Sequence, residues 1–308
     1  MMPNKALSTL VVLSGPTGVG KTDFAISVAK EYHTSIIGCD SRQFYKELQI
    51  GTSPPSISQL KTVPHYFVQF LSIHDYYNVS LYEQDVLNQL NSLFTQQPVV
   101  FLVGGSGLYI DAVCSGIDDM PDYDSELRQN LVEQLHQKGI TWLRTLLQQL
   151  DMETYKKIDL NNKNRVLRAV EVCLLTGKPY SSFLKNEPKK RNFNVLKIML
   201  TLPREQLYQR INQRVNNMIQ EGLEAEAHQL FPYRDLTALK TVGYKELFDY
   251  FDGKTTLTEA IELIKQHTRH YARKQQTWFR RDQQYQWFDI NQPEEIKAFI
   301  RTHMVNIC

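Results

Sequence analysis

The chain has 308 residues, of which 42% are hydrophobic and 22% charged, with a formal net charge of +2. This is the composition of a soluble globular protein with a substantial core, built as one large domain or two modest ones. The near-neutral balance announces no polyanionic partner, so any nucleic-acid contact must come from local patches. Cys39, Cys114, Cys173 and Cys308 are scattered and form no C-x-x-C pair, which excludes a disulfide framework or a zinc site and points to the reducing cytoplasm. The apolar run near the start reads as a first buried strand, because no small-residue cleavage site follows it. No apolar segment approaches the ~20 residues that span a bilayer, so no membrane partner is expected.

Leu10 to Leu13 predicts a strand, and it leads into G-x-x-x-x-G-K-T at Gly15 to Thr22. Phe24, Ala25, Val28 and Ala29 then set a helical period. Strand, glycine-rich loop and helix is the context a phosphate-binding loop requires. Gly15, Gly18 and Gly20 let successive N–H groups turn toward phosphate oxygens, and the helix start adds its positive end. Lys21 supplies a charge and Thr22 a hydroxyl for a metal or phosphate oxygen. The loop binds a diphosphate or triphosphate without saying which molecule carries it.

Ser35 to Cys39 predicts a second strand ending at Asp40, beside the phosphate loop if the sheet is open α/β. Residues 51–55 are a loop by composition, and residues 65–68 resemble an edge strand. Apolar spacing predicts a helix over 80–94, with Ser80 as N-cap and Glu83 completing a capping box. Pro98 to Val103 is a buried strand of the parallel kind, and Gly104-Gly105-Ser106-Gly107 opens another helix. From 118 to 190 the pattern is helical, in segments 124–137, 141–150 and 162–176, with a polar linker over 185–191. A strand over 195–202, helices over 204–221 and 258–281, a strand over 286–290 and a helix over 293–303 complete the chain. The expected fold is α/β, a P-loop NTPase-like parallel sheet flanked by helices (1–117 and 191–308), with an all-helical insertion domain (118–190).

Phosphoryl-transfer enzymes with this loop often hold magnesium with an acid at the end of a later strand. Here that strand ends in glycines. The second glycine-rich turn offers either a bare surface for something large or merely close packing. Arg269, Arg273 and Arg280 share one stripe of the long helix, beside His270, Lys274, Thr277 and Arg281. Tyr271, Trp278 and Phe279 are interleaved. A basic stripe with aromatics suits a phosphate backbone and unstacked bases, although Trp278 and Phe279 alone suit a core edge better. Lys163, Arg165 and Arg168 crowd a helix start, where cations oppose the dipole and a bound anion is expected.

The segments GPTGVGKT (15–22), DSRQFYKELQIGT (40–52), VGGSGLYI (103–110), NRVLRAVEVCLLTGKP (164–179), QRINQRVNNMIQEGLEAE (209–226), TVGYKE (241–246) and RHYARKQQTWFRR (269–281) run in order over nearly the whole chain. Together they resemble the tRNA dimethylallyltransferases. Ser106 stands where threonine is more usual, and its hydroxyl keeps the chemistry. No zinc-finger extension follows, as in bacterial members. The resemblance implies transfer of a dimethylallyl group from dimethylallyl diphosphate to N6 of adenosine 37, in tRNAs reading codons that begin with U. It implies that Gly15, Pro16, Thr17, Gly18, Val19, Gly20, Lys21 and Thr22 cradle the diphosphate, with Thr22 helping to hold Mg2+. Arg214, with Arg210, would neutralise the leaving group, and Asp40 would accept the N6 proton. Ser41, Arg42, Gln43, Ser106, Arg128, Asn164, Arg165, Val166, Leu167 and Arg168, with Asp40, would contact the tRNA anticodon stem-loop. A cytoplasmic monomer is expected. Rival readings are a P-loop small-molecule kinase, an adenylate isopentenyltransferase, and a non-enzymatic RNA-binding protein using the loop as an anion clamp.

Overall fold

The computed structural model describes residues 8–185 and 187–305. Cys308, and Asn186 of the expected linker, lie outside these residues, as do the first seven. The chain divides into two compact units, Met1–Ser115 with Arg191–Cys308, and Gly116–Lys190.

The first unit is built on a parallel sheet of six strands among the described residues, in the order β3-β2-β4-β1-β5-β6. β1 (Thr9–Ser14) leads to α1 (Lys21–Glu31), β2 (Ile36–Cys39), a one-turn α2 (Ile57–Leu60) and β3 (His65–Tyr66). Then come α3 (Val79–Leu93), β4 (Val99–Gly104) and α4 (Gly107–Ser115). The first unit resumes with β5 (Asn194–Thr201), α8 (Arg204–Gln220), α9 (Leu223–Leu230), α10 (Tyr244–Phe251), α11 (Leu257–Phe279), β6 (Gln286–Asp289) and α12 (Pro293–Val305). The second unit holds α5 (Ser125–Leu150), α6 (Met152–Lys157) and α7 (Lys163–Thr176).

Period-two alternation explains why β1 is central. Val11 and Leu13 pack with α1, α8 and α12 on one face, and Leu10 and Val12 with α3 and α4 on the other. All four are fully buried, as a strand covered on both faces must be. A third cluster joins Leu48, Val215, Leu223, Tyr244, Leu247 and Ile264, and packs α8 to α11 beside the sheet. In register, Ser14 and Cys39 both face Gly104. The carboxyl ends of β1, β2 and β4 are therefore level. The phosphate loop, Asp40 and the second glycine-rich turn emerge side by side.

Some local expectations change. α3 begins two residues earlier, because the side chain of Asn78 accepts a hydrogen bond from the Leu81 N–H at 2.9 Å. Asn caps as well as Ser. Glu83 is no capping partner: it is buried and paired at 2.6 Å with Arg191. The edge strand β3 stops after two residues, since Phe67 and Gln69 adopt positive φ. α5 breaks at Gly139, whose φ is 76°, which accounts for the two separate amphipathic segments in the sequence.

In the second unit Val166 and Leu167 are 0% and 3% exposed, packed with Leu131, Leu143, Leu147 and Val170. Their side chains build the helical core, and their expected contact with RNA is withdrawn. Arg128 and Arg168 converge on Glu171, whose Oε2 accepts from both at 3.0 and 2.9 Å. Arg168 also donates to the Pro121 carbonyl at 2.7 Å. Its charge near the start of α7 is answered by a buried carboxylate of the chain itself, while Lys163 and Arg165, the other two cations there, are exposed. Asn164 and Arg165 are exposed.

Candidate active site

The phosphate loop owes its shape to two left-handed glycines, Gly18 (φ 82°) and Gly20 (φ 103°), a conformation that costs a side-chain-bearing residue energy. Backbone bookkeeping then decides which groups can meet an anion. The Thr17 N–H donates to Gln275 Oε1 at 2.9 Å, and the Val19 N–H closes a turn onto the Pro16 carbonyl at 3.3 Å. Pro16 has no N–H. The expected cradle therefore narrows: Thr17, Val19 and Pro16 shape the loop, while the N–H groups of Gly18, Gly20, Lys21 and Thr22 point to no protein acceptor among the described residues. Three of these open α1, where a helix leaves its first N–H groups free.

Lys21 Nζ donates to the carbonyls of Gly15 and Pro16 at 2.8 and 2.9 Å, which leaves one ammonium hydrogen for a ligand. Burial pushes its pKa down to about 8; Asp40 opposes the shift and Arg214 adds to it. Burial also pulls the Arg214 guanidinium below its ordinary value, against Asp40. Two strained cations beside one carboxylate make a site that an anion relieves.

Two cavities open here. The smaller, about 250 Å³, is lined by Gly18, Gly20, Lys21, Thr22, Gln43 and Arg210 and by apolar Ala25, Ile36, Val68 and Val103. The larger, about 690 Å³, is lined by Ser41, Arg42, Gly51, Thr52, Lys240, Lys245, His267, Tyr271 and Lys274 among others. Asp40, Thr17 and Arg214 line both. Asp40 Oδ1 accepts from the Arg42 N–H at 3.1 Å. Arg210 Nη1 donates to the Val19 carbonyl at 3.1 Å, and Arg214 Nη2 to the Thr52 carbonyl at 3.1 Å. The i and i+4 arginines of α8 thus reach the same loop region from one helix face.

Of the residues expected at the RNA, Ser41 and Ser106 are paired. The Ser41 N–H donates to Ser106 Oγ at 3.0 Å, and the two hydroxyls lie 3.3 Å apart. Arg42 fastens its Nη1 to the carbonyls of Thr237 and Ala238. Gln43 faces the smaller cavity, with its Nε2 donating to the carbonyls of Thr52 and Ser53 at 3.0 and 2.9 Å. Its amide hydrogens hold a loop of the protein and are not free for RNA.

The second glycine-rich turn is close packing. A Cβ on Gly105 would sit 2.1 Å from Gln275 Nε2, and one on Gly107 2.2 Å from the Trp278 ring. Gln275, which sequence reasoning missed, is buried on α11 and donates from Nε2 to the Gly105 carbonyl at 3.0 Å. It therefore ties this turn to the phosphate loop. Phe279 is buried, Trp278 donates to Asp111 Oδ2 at 2.9 Å, and Tyr271 is 38% exposed. Along α11, a groove of about 480 Å³ is lined by His270, Arg273, Lys274, Thr277, Trp278 and Arg281. The Arg281 guanidinium lies 3.8 Å over the Trp278 ring.

The IPP transferase family model matches residues 43–282. The chain belongs to the IPP transferase family. It is 48% identical over 305 residues to tRNA dimethylallyltransferase 1 of Bacteroides thetaiotaomicron, covering 98% of this chain and 99% of that one. It is 51% identical over 298 residues to tRNA dimethylallyltransferase 1 of Phocaeicola vulgatus, covering 97% and 99%. The solved tRNA isopentenylpyrophosphate transferase of Bacillus halodurans superposes with a TM-score of 0.71 at 33% identity, covering 97% of this chain and 98% of that one. Family members act on a prenyl diphosphate, which agrees with a phosphate loop beside which β4 ends in Gly104 and Gly105 where a metal-holding acid would stand.

Magnesium fits the site in one way. Among the described residues no three His, Cys, Asp or Glu side chains gather as a metal cage. The Thr22 hydroxyl has no hydrogen-bond partner among them either, and it faces the smaller cavity. Hydroxyl and diphosphate oxygens are the hard donors that magnesium takes.

Proposed function

We propose that this protein transfers the dimethylallyl group of dimethylallyl diphosphate to N6 of adenosine 37 in tRNAs reading codons that begin with U. The reading is carried by Asp40, which with Thr17 and Arg214 lines both cavities. A carboxylate at such a junction can touch a nucleobase amine from one side and an allylic carbon from the other.

In this scheme the diphosphate meets the free N–H groups of Gly18, Gly20, Lys21 and Thr22, and the five-carbon group lies against Ala25, Ile36, Val68 and Val103. The bond from the allylic C1 to the diphosphate oxygen breaks, and its electron pair leaves with the diphosphate. N6 forms the new bond to C1 and gives its proton to Asp40. Arg214, Arg210 and Lys21 stabilise the charge developing on the leaving group. Bound through Thr22, Mg2+ would neutralise part of that charge. The transition state is a stretched allylic cation, so a site that positions both partners and excludes water matters more than a strong nucleophile.

Adenosine 37 must leave the anticodon-loop stack at a cost of about a few kcal/mol. Arg42, Lys240, Lys245 and Lys274 around the larger cavity offer phosphate contacts that offset it. In the second unit the exposed Asn164 and Arg165 are the proposed RNA contacts. Arg128 and Arg168 hold Glu171 and keep a surface edge for RNA.

The test offers the protein radiolabelled dimethylallyl diphosphate, with an unmodified anticodon stem-loop bearing adenosine 37 between adenosines and, separately, with AMP. Label in the stem-loop is the expected result. Label in AMP alone would transfer the protein to the adenylate-modifying class. No label in either, with ATP consumed, would refute prenyl transfer in favour of a kinase.

A further inference from the structure

We infer that Glu226, together with Tyr244, is a positioning residue that sets the Arg214 guanidinium through the loop 49–53. The inference rests on the leaving-group role proposed for Arg214. Glu226 lies on α9 and its carboxylate accepts four hydrogen bonds. The N–H groups of Gln49 and Ile50 donate to Oε2 at 3.0 and 2.8 Å. The Gly51 N–H and the Tyr244 hydroxyl donate to Oε1 at 3.0 and 2.7 Å. An ionised carboxylate has about four acceptor positions, and all four are in use. Three consecutive backbone N–H groups converging on one side chain fix the path of that loop.

Tyr244 fixes its other side. It is fully buried, and a Cβ on Gly51 would come within 2.6 Å of its hydroxyl. The loop is closed by Thr52 Oγ1, which donates to the Leu48 carbonyl at 2.7 Å. Ser53 is held at φ 42°, a conformation that persists only where the surroundings enforce it. The next carbonyl, Thr52 O, takes Arg214 Nη2 at 3.1 Å and Gln43 Nε2 at 3.0 Å. Among the described residues it is the one hydrogen-bond acceptor engaged by the Arg214 side chain. The position of Arg214 over the two cavities therefore depends on where Glu226 holds residues 49–51.

A carboxylate is needed because an amide has one oxygen. In Glu226→Gln, two of the four donors face an NH2 group and lose their acceptor. The loop is then free to shift, and a misplacement near 1 Å at a group acting on the reaction costs about 100-fold in rate.

The experiment is a double-mutant cycle read by single-turnover transfer of label from dimethylallyl diphosphate to the stem-loop. Glu226→Gln slows transfer about 10- to 100-fold, while the stem-loop Kd stays within about threefold. Its affinity for inorganic diphosphate, measured by calorimetry without RNA, falls about tenfold. In the Arg214→Ala background the same change costs no more than about twofold, because its route to the chemistry is gone. Tyr244→Phe, which removes one of the four bonds, gives the same pattern with a smaller loss and replaces Glu226→Gln in the cycle if that variant does not fold. A full, additive loss in the Arg214→Ala background would overturn the inference. So would wild-type transfer by Glu226→Gln, or a stem-loop Kd that worsens in step with rate. A wild type that moves no label but binds diphosphate tenfold better than Glu226→Gln would reject the proposed reaction and keep the positioning.

Discussion

Gln275→Leu tests whether α11 braces the phosphate loop. Leucine nearly matches the volume of glutamine, so no cavity opens. Two backbone groups lose their partners: the Thr17 N–H, now 2.9 Å from Oε1, and the Gly105 carbonyl, 3.0 Å from Nε2. An orphaned buried group costs about 1–3 kcal/mol. Gly105 is buried and Thr17 half-buried, so water can reach the latter and its loss sits at the low end. The sum is about 2–4 kcal/mol. At about 2–4 °C per kcal/mol for a domain of this size, Tm should fall by roughly 4–16 °C. Circular dichroism melts with and without inorganic diphosphate measure it. Diphosphate should rescue less of the loss than it adds to the wild type, because the loop it binds is looser. Gln275→Glu keeps an acceptor for Thr17 but turns an oxygen toward the Gly105 carbonyl, and should be at least as damaging. A Tm within about 1 °C of wild type for Gln275→Leu would refute the brace, since that bounds both bonds below the usual net worth of one.

Lys21 predicts a pH profile. A diphosphate binds its ammonium form, and the free-protein pKa is lowered to about 8. Relative to Lys21→Arg, which is charged throughout, wild-type affinity should be level below that value and fall by up to about tenfold per pH unit above it; the same limb in both proteins would contradict the assignment. Glu171→Ala removes the shared partner of Arg128 and Arg168 and should destabilise by about 2–3 kcal/mol, below the ~3–5 of a fully buried pair, because the arginines keep 27% and 30% exposure. Chemical denaturation checks it, and a loss under about 0.5 kcal/mol would mean the pairs are merely superficial. Thr22→Val should leave Tm unchanged yet weaken diphosphate binding about tenfold in magnesium and little without it, as read by calorimetry; equal weakening in both buffers would remove the hydroxyl from the metal.

The parallel sheet and its phosphate loop were legible because burial on both faces writes itself as unbroken apolar runs, such as Leu10 to Leu13 and Val99 to Val103. The capping of α3 was misread because Ser80 and Glu83 formed a valid pattern, while the capping side chain was Asn78 and the acid answered Arg191, far along the chain. The resemblance assigns Val166 and Leu167 to RNA as part of a motif block, whereas their own helical period sends them to the core with Leu131 and Val170. Gln275 left a readable trace: it shares a stripe of α11 with Ala272 and Phe279, both buried, and a polar residue in such a stripe must find partners. Glu226 left none, since three of its four partners are backbone N–H groups that any sequence would supply and the fourth, the Tyr244 hydroxyl, comes from another helix.

Asp40→Asn is the measurement that bears most directly on the proposed chemistry. Asparagine keeps the shape and the acceptor for the Arg42 N–H, and loses the negative charge beside Lys21 and Arg214 together with the ability to take a proton. Single-turnover transfer to the stem-loop should slow about 10²–10⁴-fold, with diphosphate and stem-loop affinities no weaker than wild type at neutral pH. A rate within about tenfold of wild type, or a loss that appears wholly in binding, would contradict Asp40 as the base and with it the two-cavity account of the site.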